Sequence, residues 1–420
     1  MTQEKFSKKA IQATIVAMLI NLSAGAQYCW SLLGGATAAE HGWTTVQMAL
    51  PASLMMVFTS LWAIVVGHFN DKTKPKYFVM FGAVCIGLGL VIAGNTSSYP
   101  LICFAIIVLM GAASTSFTSN TTPTAQKLAP LKYKGLVAGI VGAGMGWTSF
   151  YMSPLIRWIQ NNYDNRTAYM AIGIGSFVII MILAQFLPEP ERTNSSDPAV
   201  VAAAKAAEEA DQKTLYKNTK GLKEAIRTKE LWICFSMFAA AGMGGQMMTS
   251  QMTKIAEVQY TTGDAAALAV TMLMLLGLSN GLGRLFVSTI SDKLGVRNTW
   301  SLIFIAQCIN ILLFRFYTTA AALNIGTFVL GFFYGAAIPL VWNTAAGIFG
   351  RRHLGAIYGV ITNGFSVAAL VGPLVSARIV DVTGSYNPAF LVLALFLVIG
   401  FVLSRIMPND KLFAAASGRE

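Results

Sequence analysis

Charge is what this sequence has least of. Lys, Arg, Asp and Glu together make up 11% of the 420 residues, against 55% hydrophobic ones. A soluble domain of that length needs more charge to cover its surface, so the ordinary soluble classes are excluded. Histidine is nearly absent: His41, His68 and His353 sit singly at the ends of apolar runs. The five cysteines (Cys29, Cys85, Cys103, Cys234, Cys308) are odd in number and lack paired ligand spacing, so neither a disulfide framework nor a metal site is expected. No Walker sequence follows the glycine-rich stretches, which argues against ATP hydrolysis and a primary pump.

What is present is a series of apolar runs of about 20 residues, the length that crosses a bilayer. Twelve are read along the chain, at 10–33, 46–66, 77–95, 100–122, 135–158, 168–187, 231–253, 265–290, 299–318, 323–349, 354–377 and 387–406. Lys8 and Lys9, the apolar stretch after them and Ser23-Ala24-Gly25-Ala26 match the outline of a cleaved signal peptide. Eleven further spans make a retained first helix the simpler reading. The fold class expected is all-α and polytopic, with lipid as the main partner.

Basic residues set the orientation, because short cytoplasmic loops keep positive charge during insertion. Lys72, Lys74 and Lys76 share one loop and Lys127, Lys132 and Lys134 border another, which assigns both termini to the cytoplasm of a cell-membrane protein. The formal charge of +12 is thereby explained by topology and gives no support to nucleic-acid binding.

One long polar stretch, 188–230, divides the chain into a bundle of six spans at 1–187 and another at 231–420 with its tail. It reads as a solvated cytoplasmic connector, in which 200–215 has the composition of a surface helix. Internal repeats support the division. Gly67-x-x-x-Asp71-Lys72 returns as Ser288-x-x-x-Asp292-Lys293, Gly135-x-x-x-Gly139 as Gly355-x-x-x-Gly359, Gly144 as Gly364, and Pro154-Leu155 as Pro373-Leu374. Matches in order at nearly one offset indicate duplicated six-helix halves, an architecture of secondary transporters.

Over essentially its whole length the sequence resembles the major facilitator superfamily, whose signature loop the Gly-x-x-x-Asp motif echoes in degenerate form. Within it, Gly25-Ala26-Gln27-Tyr28-Cys29-Trp30, the 280–292 segment and Ile348-Phe349-Gly350 resemble the oxalate:formate antiporter branch, a relative of the monocarboxylate transporters. The repeated charges Asp71, Lys72, Asp292 and Lys293 are expected to pair across the seam between halves as a cytoplasmic gate, closed in one state and broken in the other. Ordinary cap and loop charges are the competing reading.

Arg284 is the one charge deep inside a span. Burying it in hydrocarbon costs about 2.5–3.5 kcal/mol on insertion scales. It precedes Asp292 by eight residues (292 − 284), roughly 12 Å of helix, too deep for easy snorkelling. Every Asp and Glu lies in a loop, a terminus or a helix end, so the missing counter-ion points to an anionic substrate. A guanidinium matches a carboxylate in bidentate geometry. The alternative is an arginine satisfied by carbonyls and water at a packed contact.

The resemblance implies a substrate-binding arginine at Arg284. The oxalate carrier's second cation falls on Phe365, and the aspartate of the monocarboxylate transporters falls on Asn280. One arginine balances one carboxylate, which favours lactate, pyruvate or formate over oxalate. Asn280 does not titrate, which leaves protons as a partner only if substrate or water carries them. Gln27, Tyr28, Asn120, Tyr334 and Asn363 are further candidates for the cavity, with Phe365, Met145 and Trp147 as apolar walls. For each, helix packing is the competing role. Glycines 139, 142, 144 and 146, and 277, 281 and 283, are read as close helix contacts.

The function expected is exchange of a small monocarboxylate by a monomeric carrier without cofactor. Proton-coupled symport, oxalate exchange and export of hydrophobic drugs are the alternatives. An enzyme or sensor would need catalytic clusters or a soluble domain, and duplicated halves suit alternating access better than a channel.

Overall fold

The computed structural model describes residues 6–70, 73–130, 133–189, 221–350 and 354–408. They form twelve long helices: α1 (Lys8–His41), α2 (Thr45–Asn70), α3 (Pro75–Gly94), α4 (Tyr99–Leu128), α5 (Lys134–Asn162), α6 (Asn165–Gln185), α7 (Lys229–Gln259), α8 (Ala265–Leu294), α9 (Val296–Phe314), α10 (Ala320–Phe349), α11 (Leu354–Thr383) and α12 (Asn387–Ile406). Eleven of them are long and apolar enough to cross a membrane by length and composition. The remaining one, α5, is 29 residues long, and its Gly, Trp, Ser, Thr and Tyr content lowers its hydropathy.

The two halves pack alike. α1 lies against α4 and α5, and α7 against α10 and α11; α3 packs on α4 and α6, and α9 on α10 and α12. The halves meet chiefly through α5 against α8 and α2 against α11, with α1 touching α7. This repeated pairing is the structural counterpart of the sequence offset, since equivalent helices carry equivalent apolar and glycine faces.

Glycine sets how closely the central helices approach. α8 is pressed between α5 and α10, and a Cβ at Gly335 of α10 would lie 2.1 Å from the Asn280 carbonyl oxygen. Without a side chain, two backbones come close enough for tight packing in the absence of a hydrophobic driving force.

α1 breaks near mid-length and α7 about three-quarters of the way along, which the sequence reading did not foresee. The first span, expected as a single helix ending at residue 33, runs on to His41 and is interrupted by a 3₁₀ turn at Gly25–Cys29. A broken helix inside a bilayer must satisfy its freed carbonyls from neighbours. Here the hydroxyls of Thr148 and Tyr151 on α5 donate to the Leu22 carbonyl at 2.8 and 3.0 Å. In α7 the irregular residue is Gln251, at φ −128° and ψ 16°, and the span expected to end at residue 253 continues to Gln259. The Gln251 amide donates to the Pro373 carbonyl and to Ser376, and Tyr386 donates to its oxygen at 2.6 Å.

The ends at residues 41–46, 259–265 and 381–387 share one side of the bundle, opposite the described terminal residues. On that far side the halves are joined by defined bonds. The Asp381 carboxylate of α11 accepts from the backbone N–H groups of Thr45 and Val46, at 3.0 and 3.1 Å, and so caps α2 across the seam. Thr253 of α7 donates to the Ser31 carbonyl of α1 at 2.9 Å. Asp164 caps α6 on the far side by accepting from Thr167, whose side-chain and backbone hydrogen bonds hold the Asp164 carboxyl below the usual carboxylate range.

The cross-seam cap generates a test. Asp381→Ala removes a cap of about 1 kcal/mol, which shifts a two-state equilibrium severalfold. A cysteine placed at the buried residue Ala49 of α2 should then react severalfold faster with a membrane-impermeant maleimide than in the Asp381 background; equal rates would show that the cap does not hold this side closed.

Candidate functional site

Arg284 lies about 15 Å along α8 from the helix end at Leu294. Its side chain is half-buried and spans the seam between halves. Nε donates to the Asn280 side-chain oxygen one turn earlier at 3.0 Å, Nη1 to the Gly142 carbonyl of α5 at 2.8 Å, and Nη2 to the Tyr28 hydroxyl of α1 at 3.2 Å. All three acceptors are neutral. A guanidinium carries five N–H donors, so two are left beyond these bonds among the described residues.

Each contact follows from local sequence. Gly142 presents its carbonyl to the guanidinium, and a Cβ there would stand in ordinary van der Waals contact with it, 3.5 Å from Arg284 Nη1. Asn280 lies four residues before Arg284 and therefore on the same helix face. It is nearly fully buried and its Nδ2 has no hydrogen-bond partner among the described residues. Tyr28 sits in the 3₁₀ turn of α1, so the helix break aims it at α8.

The other expected residues fall into separate groups. Gln27, also in the turn, points its amide at the Met145 sulfur at 3.9 Å. Trp147 covers Gly281, and its buried Nε1 has no partner among the described residues. Phe365 is stacked between Tyr334 and Phe238, at centroid distances of 5.8 and 5.3 Å, and Tyr334 lies within electrostatic range of Tyr28 and Arg284. The amides of Asn120 and Asn363 each donate to a carbonyl of their own helix, that of Ser116 and that of Gly359.

The gate residues Asp71 and Lys72 lie outside the described residues, as does 200–215, while Asp292 and Lys293 are exposed in the last turn of α8. Two neighbours were missed by sequence reading. Gly142 contributes only a carbonyl, which no residue type announces. Tyr358, within electrostatic range of Arg284, stands seven residues before Phe365 on the same face of α11 and packs edge-on against Trp342 at 4.8 Å. That heptad spacing was the available signal.

Comparison with known proteins identifies the lineage of the fold. The family model of the Major Facilitator Superfamily matches residues 14–316 and 290–414. The chain belongs to the Major Facilitator Superfamily. Among relatives of this superfamily member, the oxalate:formate antiporter of Oxalobacter formigenes is 25% identical over 395 residues, covering 93% of this chain and 89% of that one. An uncharacterized MFS-type transporter of Escherichia coli, YhjX, is 23% identical with 88% of each chain covered. Monocarboxylate transporter 13 of Bos taurus is 21% identical, with 83% and 78% covered. The crystal structure of the nucleoside transporter NupG superposes with a TM-score of 0.71 at 12% identity, covering 96% of this chain and all of that one. This superfamily member is thus a membrane transporter by family, and the fold expected from the duplicated halves is the one observed.

The Arg284 contacts predict energetic coupling. Asn280→Leu takes an acceptor from a guanidinium in a low-dielectric seam, at a cost of about 1–3 kcal/mol. In a background carrying Arg284→Leu the same change should cost little, because the donor is gone. Thermal unfolding of the four variants in detergent measures the difference, expected at about 1–3 kcal/mol; strict additivity would dissolve the pairing.

Proposed function

We propose that this transporter carries a small monocarboxylate, of the size of lactate, pyruvate or formate, by alternating access, with the carboxylate bound at Arg284. The observation that carries the reading is that the Arg284 guanidinium, between the halves, is held by three neutral oxygens and keeps two donors to spare among the described residues. A buried cation of this kind marks a substrate path by default, and a carboxylate completes it with a planar fork of bonds. The names of two relatives, an oxalate:formate antiporter and a monocarboxylate transporter, agree with a carboxylate.

Charge balance favours a monoanion. Phe365, at the position where the resemblance implies a second cation, is an apolar ring stacked between two others, so a dicarboxylate would leave one negative charge unpaired. Asn280 beside Arg284 does not titrate, so the arginine's charge is not relieved by a proton on that side chain. An empty carrier then moves with an uncompensated cation and a loaded one with a neutral pair. Exchange is therefore faster than net flux.

The same reading has the chain in the cell membrane as a monomer, with both termini and the 188–230 connector in the cytoplasm and the two bundles at 1–187 and 231–420. Asp71 and Lys72 would meet Asp292 and Lys293 across the cytoplasmic seam when that side closes. A hydrophobic-drug exporter needs no fixed cation, so Arg284 separates the two classes.

Two experiments test this reading. Arg284→Gln should abolish carboxylate binding to the purified protein and Arg284→Lys should weaken it more than tenfold, since an ammonium lacks the fork; unchanged binding removes the anion reading. In proteoliposomes, counterflow of labelled carboxylate should exceed net efflux by at least tenfold, and equal rates would overturn the exchange mechanism.

A further inference from the structure

Beyond Arg284, a second small cavity lies in the seam between α1, α2, α7 and α11, two helices from each half. Tyr28 and Gln27 from the α1 turn, Ser53 from α2 and Gln246 from α7 line it, with Met55 and Pro373 as apolar walls. It shares Tyr28 with the arginine site, since the hydroxyl of that residue accepts from Arg284.

Two of its polar groups are unsatisfied. Gln246 is 5% exposed and Ser53 1%, and neither Gln246 Nε2 nor Ser53 Oγ has a hydrogen-bond partner among the described residues. Their neighbours are already spent: Thr249 and Ser250, which also line the cavity, donate to carbonyls of α7 itself. A buried amide and hydroxyl without partners are costly unless water or a ligand answers them. The cavity volume is about 20 Å³, on a scale where one water needs roughly 10–15 Å³. It therefore admits a single water or one small substituent rather than a whole ligand.

From these observations we infer that Gln246 and Ser53 form a subsite for a second polar group of the substrate, a hydroxyl or carbonyl oxygen carried beside the carboxylate that Arg284 holds. This rests on the carboxylate reading of Arg284 and deepens it. The Gln246 amide is a donor, so the group it selects must accept; the Ser53 hydroxyl can donate to a carbonyl or accept from a hydroxyl. When the site is empty a water answers both, and a ligand oxygen replaces that water without loss of hydrogen bonds. An unsubstituted short carboxylate leaves the water trapped or the two groups bare, and is bound less tightly. Because the lining comes from both halves, a ligand that fills the subsite also bridges the seam.

The test is a binding series on the purified full-length protein, with lactate, pyruvate and propionate as probes and intrinsic tryptophan fluorescence or thermal shift as the readout. Lactate or pyruvate should bind on the order of tenfold more tightly than propionate, the effect of one to two neutral hydrogen bonds. Gln246→Met, which keeps the volume and removes the donor, should bring the three ligands within about twofold of each other while leaving propionate unchanged; Ser53→Ala should narrow the ratio in the same direction. Equal binding of all three by the native protein, or a ratio that neither variant alters, overturns the subsite and leaves Arg284 as the carboxylate anchor. If no member of the series binds and Arg284→Gln behaves as the native protein does, the carboxylate reading falls and the subsite with it.

Discussion

A guanidinium half-buried between two helix bundles, without a carboxylate bonded to it among the described residues, is the constraint on which the rest of the central structure depends. Arg284 draws one contact from its own helix, one from the backbone of α5 and one from the broken segment of α1. Each contact imposes a condition on its neighbour. The α5 carbonyl of Gly142 faces the guanidinium, and Tyr28 is in reach because α1 is not a continuous helix at that level. Neutral oxygens stabilise the cation without discharging it, which leaves it able to attract an anion.

The helix breaks follow from the same environment. In a bilayer an interrupted helix is tolerated only where protein groups take up the freed carbonyls. Thr148 and Tyr151 do this for α1, while Gln251 uses its own amide to tie the α7 irregularity to α11. Both breaks border the seam, and the small cavity lies between them. The α1 turn and the small cavity adjoin the α7 irregularity, and the Tyr28 hydroxyl links that turn to Arg284, which lies nearer the side carrying the termini. The far side of the seam is joined by the Asp381 cap and the Thr253 bond, which tie α11 to α2 and α7 to α1.

The fold was largely legible before the structure. Apolar runs of membrane length, separated by basic loops and repeated at one offset, need no tertiary information to be read, because lipid imposes length and hydrogen-bond closure on every span locally. Arg284 stood out for the same reason, as did Asn280 one turn away and Tyr28 in its motif. For Asn120 and Asn363 residue type is the only sequence signal, and in the structure each amide donates to a carbonyl of its own helix. Gln246 was passed over because a single glutamine in a run rich in glycine and methionine carries no periodic signal, and its importance comes from what is missing around its amide.

The sequence by itself determined that the chain is a duplicated bundle of membrane helices with one deeply placed cation, because hydrophobic length, loop charge and the cost of burying a guanidinium act on each segment separately. Only the tertiary structure decided which groups meet that cation, where α1 and α7 break, and which buried polar atoms of the cavity-lining residues have no partner among the described residues. Those outcomes depend on the approach of helices distant in the chain, down to the carbonyl that Gly142 exposes and the hydroxyl that Tyr28 presents, and a backbone carbonyl or a lone side chain leaves no pattern in sequence from which its partner can be read.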